Sequence, residues 1–285
     1  MRSPFKLRSR FNINNYSNLG QRVITGLIGA SVIVVGSIYS EWLYFLIFGL
    51  ILIFSQMEFY KLSGLDGMLP LKSFGTFLGF MIFALTFLIE LQHLQDKYYF
   101  LIFPLASLVF FIKLYRKSDK KPFTGVAFTF LGIFYVAVPF SLLNLAAFSV
   151  DGTFHYEIII GSLFILWASD TGAYFAGTKF GKTKLFERVS PKKSWEGFLG
   201  GAFLAFTIAY VLSIYFNSLP EWQWFCITGI IIIAGTYGDL IESLFKRSIE
   251  IKDSGKILPG HGGFMDRFDG LLLSAPFIAA FLKIF

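Results

Sequence analysis

Long apolar runs, separated by short polar breaks, set the pattern of this chain. The runs cover residues 23–39, 43–54, 74–89, 98–112, 123–148, 158–176, 198–216, 222–237 and 271–285. About 20 apolar residues in a helix cross a bilayer core of roughly 30 Å. Helices satisfy their own backbone hydrogen bonds in lipid, and the runs lack the short alternation of barrel strands. The pattern therefore predicts an all-α polytopic membrane protein of about nine transmembrane helices.

Composition agrees. Hydrophobic residues make up 55% of the 285, and charged residues only 15%, against about 25% charged in soluble domains. The chain reads as one helical domain: a basic N-terminal segment (1–22), N-terminal transmembrane helices (23–150) and a C-terminal transmembrane catalytic region (151–285). The first apolar run has no convincing small-residue cleavage site, so it is expected to stay as an uncleaved span. The single cysteine, Cys226, lies in an apolar run and is expected to be an inert packing residue.

The distribution of charge adds orientation. Of 25 basic residues, 21 fall in four segments, 1–22, 113–121, 179–193 and 246–267. Counted against nine spans, all four lie on one side, which the positive-inside rule makes cytoplasmic. The expected protein is a multi-pass protein of the cell membrane, N-terminus cytoplasmic and C-terminus outside. Segment 113–121 needs no role beyond topology.

Polar residues inside or beside the spans concentrate in the second half, in three segments that this topology puts at the cytoplasmic face. In the first, Asp170 stands nine residues before Lys179, about 13 Å along a helix. Asp170, Tyr174 and Gly177 share one face by their spacing. A carboxylate at that depth usually faces a bundle interior or a wet cavity; a structural hydrogen-bonding role is the alternative.

The second segment runs from Gly177 through Gly181, Lys182 and Thr183 to Ser190-Pro191-Lys192-Lys193-Ser194-Trp195-Glu196-Gly197. Its glycine spacing is one residue short of a P-loop, and a span precedes it where a P-loop has a strand. A basic glycine-punctuated loop leading into a helix can still hold phosphate through N–H groups and lysine charge. A solvated topological loop is the plainer reading. Ser194 is placed to cap a helix starting near Trp195, with Glu196 in its positive first turn.

The third segment is the richest. Asp239, Glu242 or Ser243, and Lys246 follow helical spacing and form one polar stripe. Asp266 and Asp269, three apart at the start of the last span, turn to one side. Hard divalent ions take such carboxylates together with substrate phosphates. An ion path is the competing reading of charges at one membrane depth.

These residues resemble the phosphatidate cytidylyltransferase (CDP-diacylglycerol synthase) family. Its signature is met by Ser243, Lys246, Arg247, Lys252, Asp253, Gly255, Leu258, Pro259, His261, Gly262, Gly263, Phe264, Asp266, Arg267 and Asp269. Upstream, Asp170-Thr-Gly-Ala-Tyr174, Ser190-Pro-Lys-Lys193 and Trp195-Glu-Gly197 resemble the family too; Ser194 stands where a threonine is more usual. The likeness covers about residues 167–270.

The resemblance implies transfer of the cytidylyl group of CTP to phosphatidic acid, giving CDP-diacylglycerol and pyrophosphate. It implies Asp239, Asp266, Lys246 and Arg267 as catalytic residues, with Asp239, Asp266 and Asp269 holding Mg²⁺ and a second cation such as K⁺ beside it. Asp170, Lys182, Ser190, Lys192, Lys193, Ser243, Arg247, Lys252, His261, Gly262 and Gly263 would bind substrate. The expected partners are CTP, phosphatidic acid and membrane lipid; nucleic acid is not expected, and a homodimer is an open expectation. The rival readings are an ether-lipid cytidylyltransferase, a polyprenol kinase or an ion-coupled transporter. The intact run from His261 to Asp269 argues against the kinase. Charges hugging one face, without repeated halves, argue against the transporter.

Overall fold

The computed structural model describes residues 18–67, 69–117, 119–251 and 263–285. Each of the nine apolar runs is helical: α1 (Asn18–Tyr39), α2 (Glu41–Ser63), α3 (Lys72–Glu90), α4 (Asp96–Leu114), α5 (Pro122–Ala147), α6 (Tyr156–Phe180), α7 (Trp195–Tyr215), α8 (Glu221–Ser248) and α9 (Met265–Ile284). Among the described residues, helices α2 to α8 are the seven long and apolar enough to cross a membrane. In α1 the apolar stretch is the shorter Ile24–Tyr39, and α9 carries Asp266, Arg267, Asp269 and Lys283. The chain is a multi-pass, all-α membrane protein with one addition. Between α6 and α7 a small antiparallel hairpin joins β1 (Lys184–Phe186) to β2 (Ser190–Ser194), pairing Lys184 with Ser194 and Phe186 with Ser190.

Local chemistry sets the helix starts. Ser40 caps α2 by accepting the Leu43 N–H at 3.1 Å, and Ser194 caps α7 by accepting the Gly197 N–H at 3.2 Å, the usual service of a serine at that position. Pro122 opens α5, where a missing N–H costs nothing. Two helices change pitch midway. Residues Ile133–Ala137 of α5, next to Pro139, and Ile231–Gly235 of α8 form π-turns. Each inserts one residue, which rotates everything downstream by about 100°.

In lipid, helices associate through close packing and interhelical hydrogen bonds, and both are present. In the first half, the Tyr44 hydroxyl donates to Asn144 Oδ1 (2.9 Å), and Asn144 Nδ2 donates to Phe83 O (3.0 Å) and Thr86 Oγ1 (2.8 Å), joining α2, α3 and α5. Gln56 donates to Tyr60 and to Gly75 O, while Tyr60 donates to Thr129 O. Lys113, expected only as a topological charge, is buried at the end of α4 against Asp119 and the carbonyl of Leu69. Cys226 is exposed on the surface of α8 and does not pack inside.

The most extensive pair is α6 with α7. Their backbones approach along small residues: Gly172 and Ala173 of α6 against Gly197, Gly200 and Gly201 of α7. A Cβ added at Gly172 would lie 2.6 Å from Gly200 O and 3.0 Å from Gly201 Cα. Helices α8 and α9 touch as closely, with Gly238 against the carbonyl of Asp269.

Gly172→Val should therefore force α6 and α7 apart and destabilise the protein by about 1–3 kcal/mol, the range for overpacking. Thermal unfolding in detergent checks this against Gly29→Ala, which meets no atom within 4 Å and should melt like the wild type. Wild-type melting of Gly172→Val would contradict the close crossing.

Candidate active site

The end of α6, the hairpin, the start of α7 and the end of α8 surround a cavity of about 350 Å³ at one end of the bundle. Asp170, Tyr174 and Gly177, one face of α6 by their spacing, all line it. So do Ser190, Lys192 and Lys193 of the hairpin, and Thr236 and Asp239 of α8.

Strand alternation sends successive side chains to opposite faces, and this separates the two lysines. Lys193 turns inward, its Nζ 2.5 Å from Asp239 Oδ2 and 3.4 Å from Thr236 O. Lys192 stays exposed at the rim. The hairpin is anchored by Glu196, which accepts the N–H groups of Lys182 and Thr183 at 3.1 Å each, while Trp195 N donates to Thr183 O. Those two N–H groups are thus already taken, and the hairpin offers the cavity the charge of Lys192 and Lys193 and the hydroxyl of Ser190. Lys182 is exposed and outside the cavity lining.

The stripe on α8 forms as the spacing predicts. Ser243 Oγ is 3.4 Å from Asp239 Oδ1, and Lys246 Nζ is 3.5 Å from Glu242 Oε2. Lys246 also reaches α9, with Nζ 3.0 Å from Asp266 Oδ1. Asp266 uses its other oxygen to accept the Gly263 N–H at 3.2 Å. Glu242 is 1% exposed and lies against Asp266 and Asp269 as well as Lys246. The helix contact at Gly238 brings Asp239 beside Asp269, whose carboxylate accepts its neighbour's N–H, Gly270, at 2.6 Å. Asp170 completes the group, within electrostatic reach of Asp239, Lys193 and the exposed Arg267. Arg247 points away and donates to Ile251 O at 3.5 Å. Lys252, His261 and Gly262 lie outside the described residues.

Two residues of the first half also reach this end, against the expectation that the chemistry sits wholly in the second. Tyr135, in the π-turn of α5, buries its hydroxyl within electrostatic reach of Glu242, Asp269 and Asp239, with no hydrogen-bond partner among the described residues. Glu58 of α2 meets the start of α9. Glu58 carries a visible signal, a lone acid inside an apolar run. Tyr135 is one of 13 tyrosines and carries none.

Among the described residues no group of three or more His, Cys, Asp or Glu side chains encloses a metal ion. An ion of the Mg²⁺ kind needs only one or two carboxylates, the rest coming from water and substrate phosphates. Asp239 and Asp269 on touching helices have that donor chemistry. Asp266 is more fully engaged, by Lys246 and Gly263.

The chain is also similar in sequence to known proteins. The chain is 32% identical over 284 residues to the phosphatidate cytidylyltransferase of Haemophilus influenzae, an alignment covering 92% of this chain and 98% of that protein. It is 39% identical over 156 residues to that of Bacillus subtilis, covering 50% and 58% respectively. With that of Staphylococcus haemolyticus it is 37% identical over 177 residues, covering 61% and 66%. The last two alignments thus span less than two thirds of those relatives. The sequence model of the cytidylyltransferase family matches residues 20–285, and the chain belongs to that family.

Proposed function

We propose that this protein transfers the cytidylyl group of CTP to phosphatidic acid, releasing pyrophosphate and leaving CDP-diacylglycerol in the membrane. The observation that carries the reading is the cavity where Asp170 stands and Lys193 meets Asp239, with Asp269 and the Lys246–Asp266 pair on the adjoining α8–α9 contact.

A phosphate monoester has a second pKa of about 6, so phosphatidate arrives largely as the dianion. Its oxygen attacks the α-phosphorus of CTP, and the bond to the β,γ-pyrophosphate breaks. No strong base is required. The obstacle is bringing two polyanions together, and transfers of this type are catalysed by positioning and charge stabilisation. Lys193 and Lys192 would hold the triphosphate from the hairpin side, and Lys246 and Arg267 the transferring phosphorus from the α8–α9 side. In this reading Ser190 and Ser243 donate hydrogen bonds, and Lys182, Arg247, Lys252, His261, Gly262 and Gly263 contribute to holding substrate. Asp239 and Asp269 would hold Mg²⁺, which would supply positive charge to the phosphates, and Asp170 lies within electrostatic reach of both carboxylates. Asp266 keeps Lys246 aimed. A second cation such as K⁺ would accompany the Mg²⁺.

All nine helices span the membrane in this account, with the N-terminus and the cavity at the cytoplasmic face, where CTP is supplied, and the C-terminus outside. Basic residues at the cavity's end of the bundle, from Lys179 to Lys193 and at Lys246, Arg247 and Arg267, support that orientation.

Purified protein given CTP and Mg²⁺ should release pyrophosphate only when phosphatidate is present. Pyrophosphate released without lipid, or CDP formed when a polyprenol takes the place of phosphatidate, would overturn the reading. Asp170→Asn should melt at or above the wild-type temperature, since burying a carboxylate in the membrane is unfavourable. Its turnover should fall at least about tenfold, or roughly 1.4 kcal/mol of barrier. Normal turnover with lowered stability would return Asp170 to a structural role. In a Cys226→Ser background, a cysteine at Gly152 should react with an impermeant thiol reagent on intact cells, and one at Thr183 only after lysis. The reverse pattern would put the cavity on the wrong side for CTP.

A further inference from the structure

We propose that Glu58 is a positioning residue: it fixes the first turn of α9 and thereby holds Asp266, Arg267 and Asp269 in register with α8. Its Oε2 accepts the N–H of Phe264 at 2.7 Å and that of Met265 at 3.4 Å. The side chain is 3% exposed. The first N–H groups of a helix have no partner within it, and their aligned dipoles favour a negative charge. Most helices meet this need with an oxygen from their own cap residue. Here the cap position is Phe264, which has no such oxygen. The acceptor comes instead from α2, 206 residues earlier.

The same helix grips both site helices on either side of Glu58. Phe54 stacks on Phe264 at 5.2 Å, and Phe59 stacks on Phe245 of α8 at 5.1 Å. Glu58 is therefore set into a fixed wall, and the start of α9 is referred to that wall.

The consequence falls on Asp266. Its Oδ2 already accepts the Gly263 N–H, and its Oδ1 holds Lys246. With Glu58 gone, the bare N–H groups of Phe264 and Met265 would compete for the carboxylate on their own turn. Asp266 would be drawn onto them and away from Lys246. Glu58 keeps one carboxylate on the helix start so that another can serve the site.

Stability alone does not account for a glutamate here. Its Oε1 is buried with no hydrogen-bond partner among the described residues, and a buried polar atom left without one is destabilising. Glutamine would offer the same acceptor without the charge. Function and stability should therefore separate on substitution.

The test compares full-length wild type, Glu58→Gln and Glu58→Ala in detergent by melting temperature, kcat and KM for CTP, and amide exchange over residues 263–270. Glu58→Ala should lose at least about tenfold in kcat, as small misplacements of reacting groups do, with KM for CTP changed far less. Its exchange should quicken over 263–268 and not across the bundle. Glu58→Gln should melt at or above wild type and recover most of the kcat. Should Glu58→Ala fail to fold, Glu58→Asp replaces it: one methylene shorter, it withdraws the acceptor and should show the same local exchange and kcat loss. Near-wild-type kcat in the shortened variants, a Gln variant no better than Ala or Asp, or exchange rising throughout would overturn the proposal. The kcat arm rests on the transfer activity proposed above, whereas the exchange arm does not. An inactive wild type would count against that activity and leave Glu58 to be judged by exchange alone.

Discussion

Like charges gathered in a poorly screening medium are the constraint on which this structure turns. Asp170, Asp239, Glu242, Asp266 and Asp269 converge where α6, α8 and α9 meet at one end of the bundle. At an effective dielectric of about 20, two unit charges 4 Å apart interact by roughly 4 kcal/mol, so the cluster persists only if cations and N–H groups are set against it. The protein supplies them from different elements: Lys193 from the hairpin to Asp239, Lys246 from α8 to Asp266 and Glu242, and backbone N–H groups to Asp266 and Asp269. These contacts lie in the cavity or on the α8–α9 contact beside it.

Helix geometry serves that cluster. Small residues let α6 approach α7, and let α8 approach α9, to backbone contact, as small residues do between membrane helices. The π-turn at Ile231–Gly235 then rotates the end of α8. That rotation decides which side of α8 Thr236 and Asp239 present to the cavity. The first half of the chain acts as the wall behind them, locked by Asn144, Gln56 and Tyr60. It reaches the site itself through Glu58 and Tyr135. The two halves divide the labour less cleanly than their composition implies.

Much of this was legible in the amino-acid pattern, for physical reasons. Long apolar runs without strand alternation are expected to be helical in lipid, and all nine runs are helical. Seven of the helices among the described residues are long and apolar enough to cross a membrane. The stripe Asp239–Glu242–Ser243–Lys246 and the face Asp170–Tyr174–Gly177 follow from helical spacing, and the Ser194 cap from its hydroxyl beside an apolar run. The hairpin was not legible: Ser190-Pro-Lys-Lys-Ser is too short and polar to announce a strand. With it went the division between an inward Lys193 and an outward Lys192, and the capture of the Lys182 and Thr183 N–H groups by Glu196. Contacts between α2 and α9 were equally hidden, because no local rule pairs residues 206 positions apart.

The account requires that CTP give up its α-phosphorus and keep none of its outer phosphates on the lipid. Purified protein should be incubated with phosphatidate, Mg²⁺ and CTP labelled either at the α or at the γ phosphate, and the lipid extracted. Label from the α position should appear in the lipid one for one with pyrophosphate, and label from the γ position should stay in the aqueous phase. Lipid carrying the γ label, or none from either, would contradict cytidylyl transfer at this site.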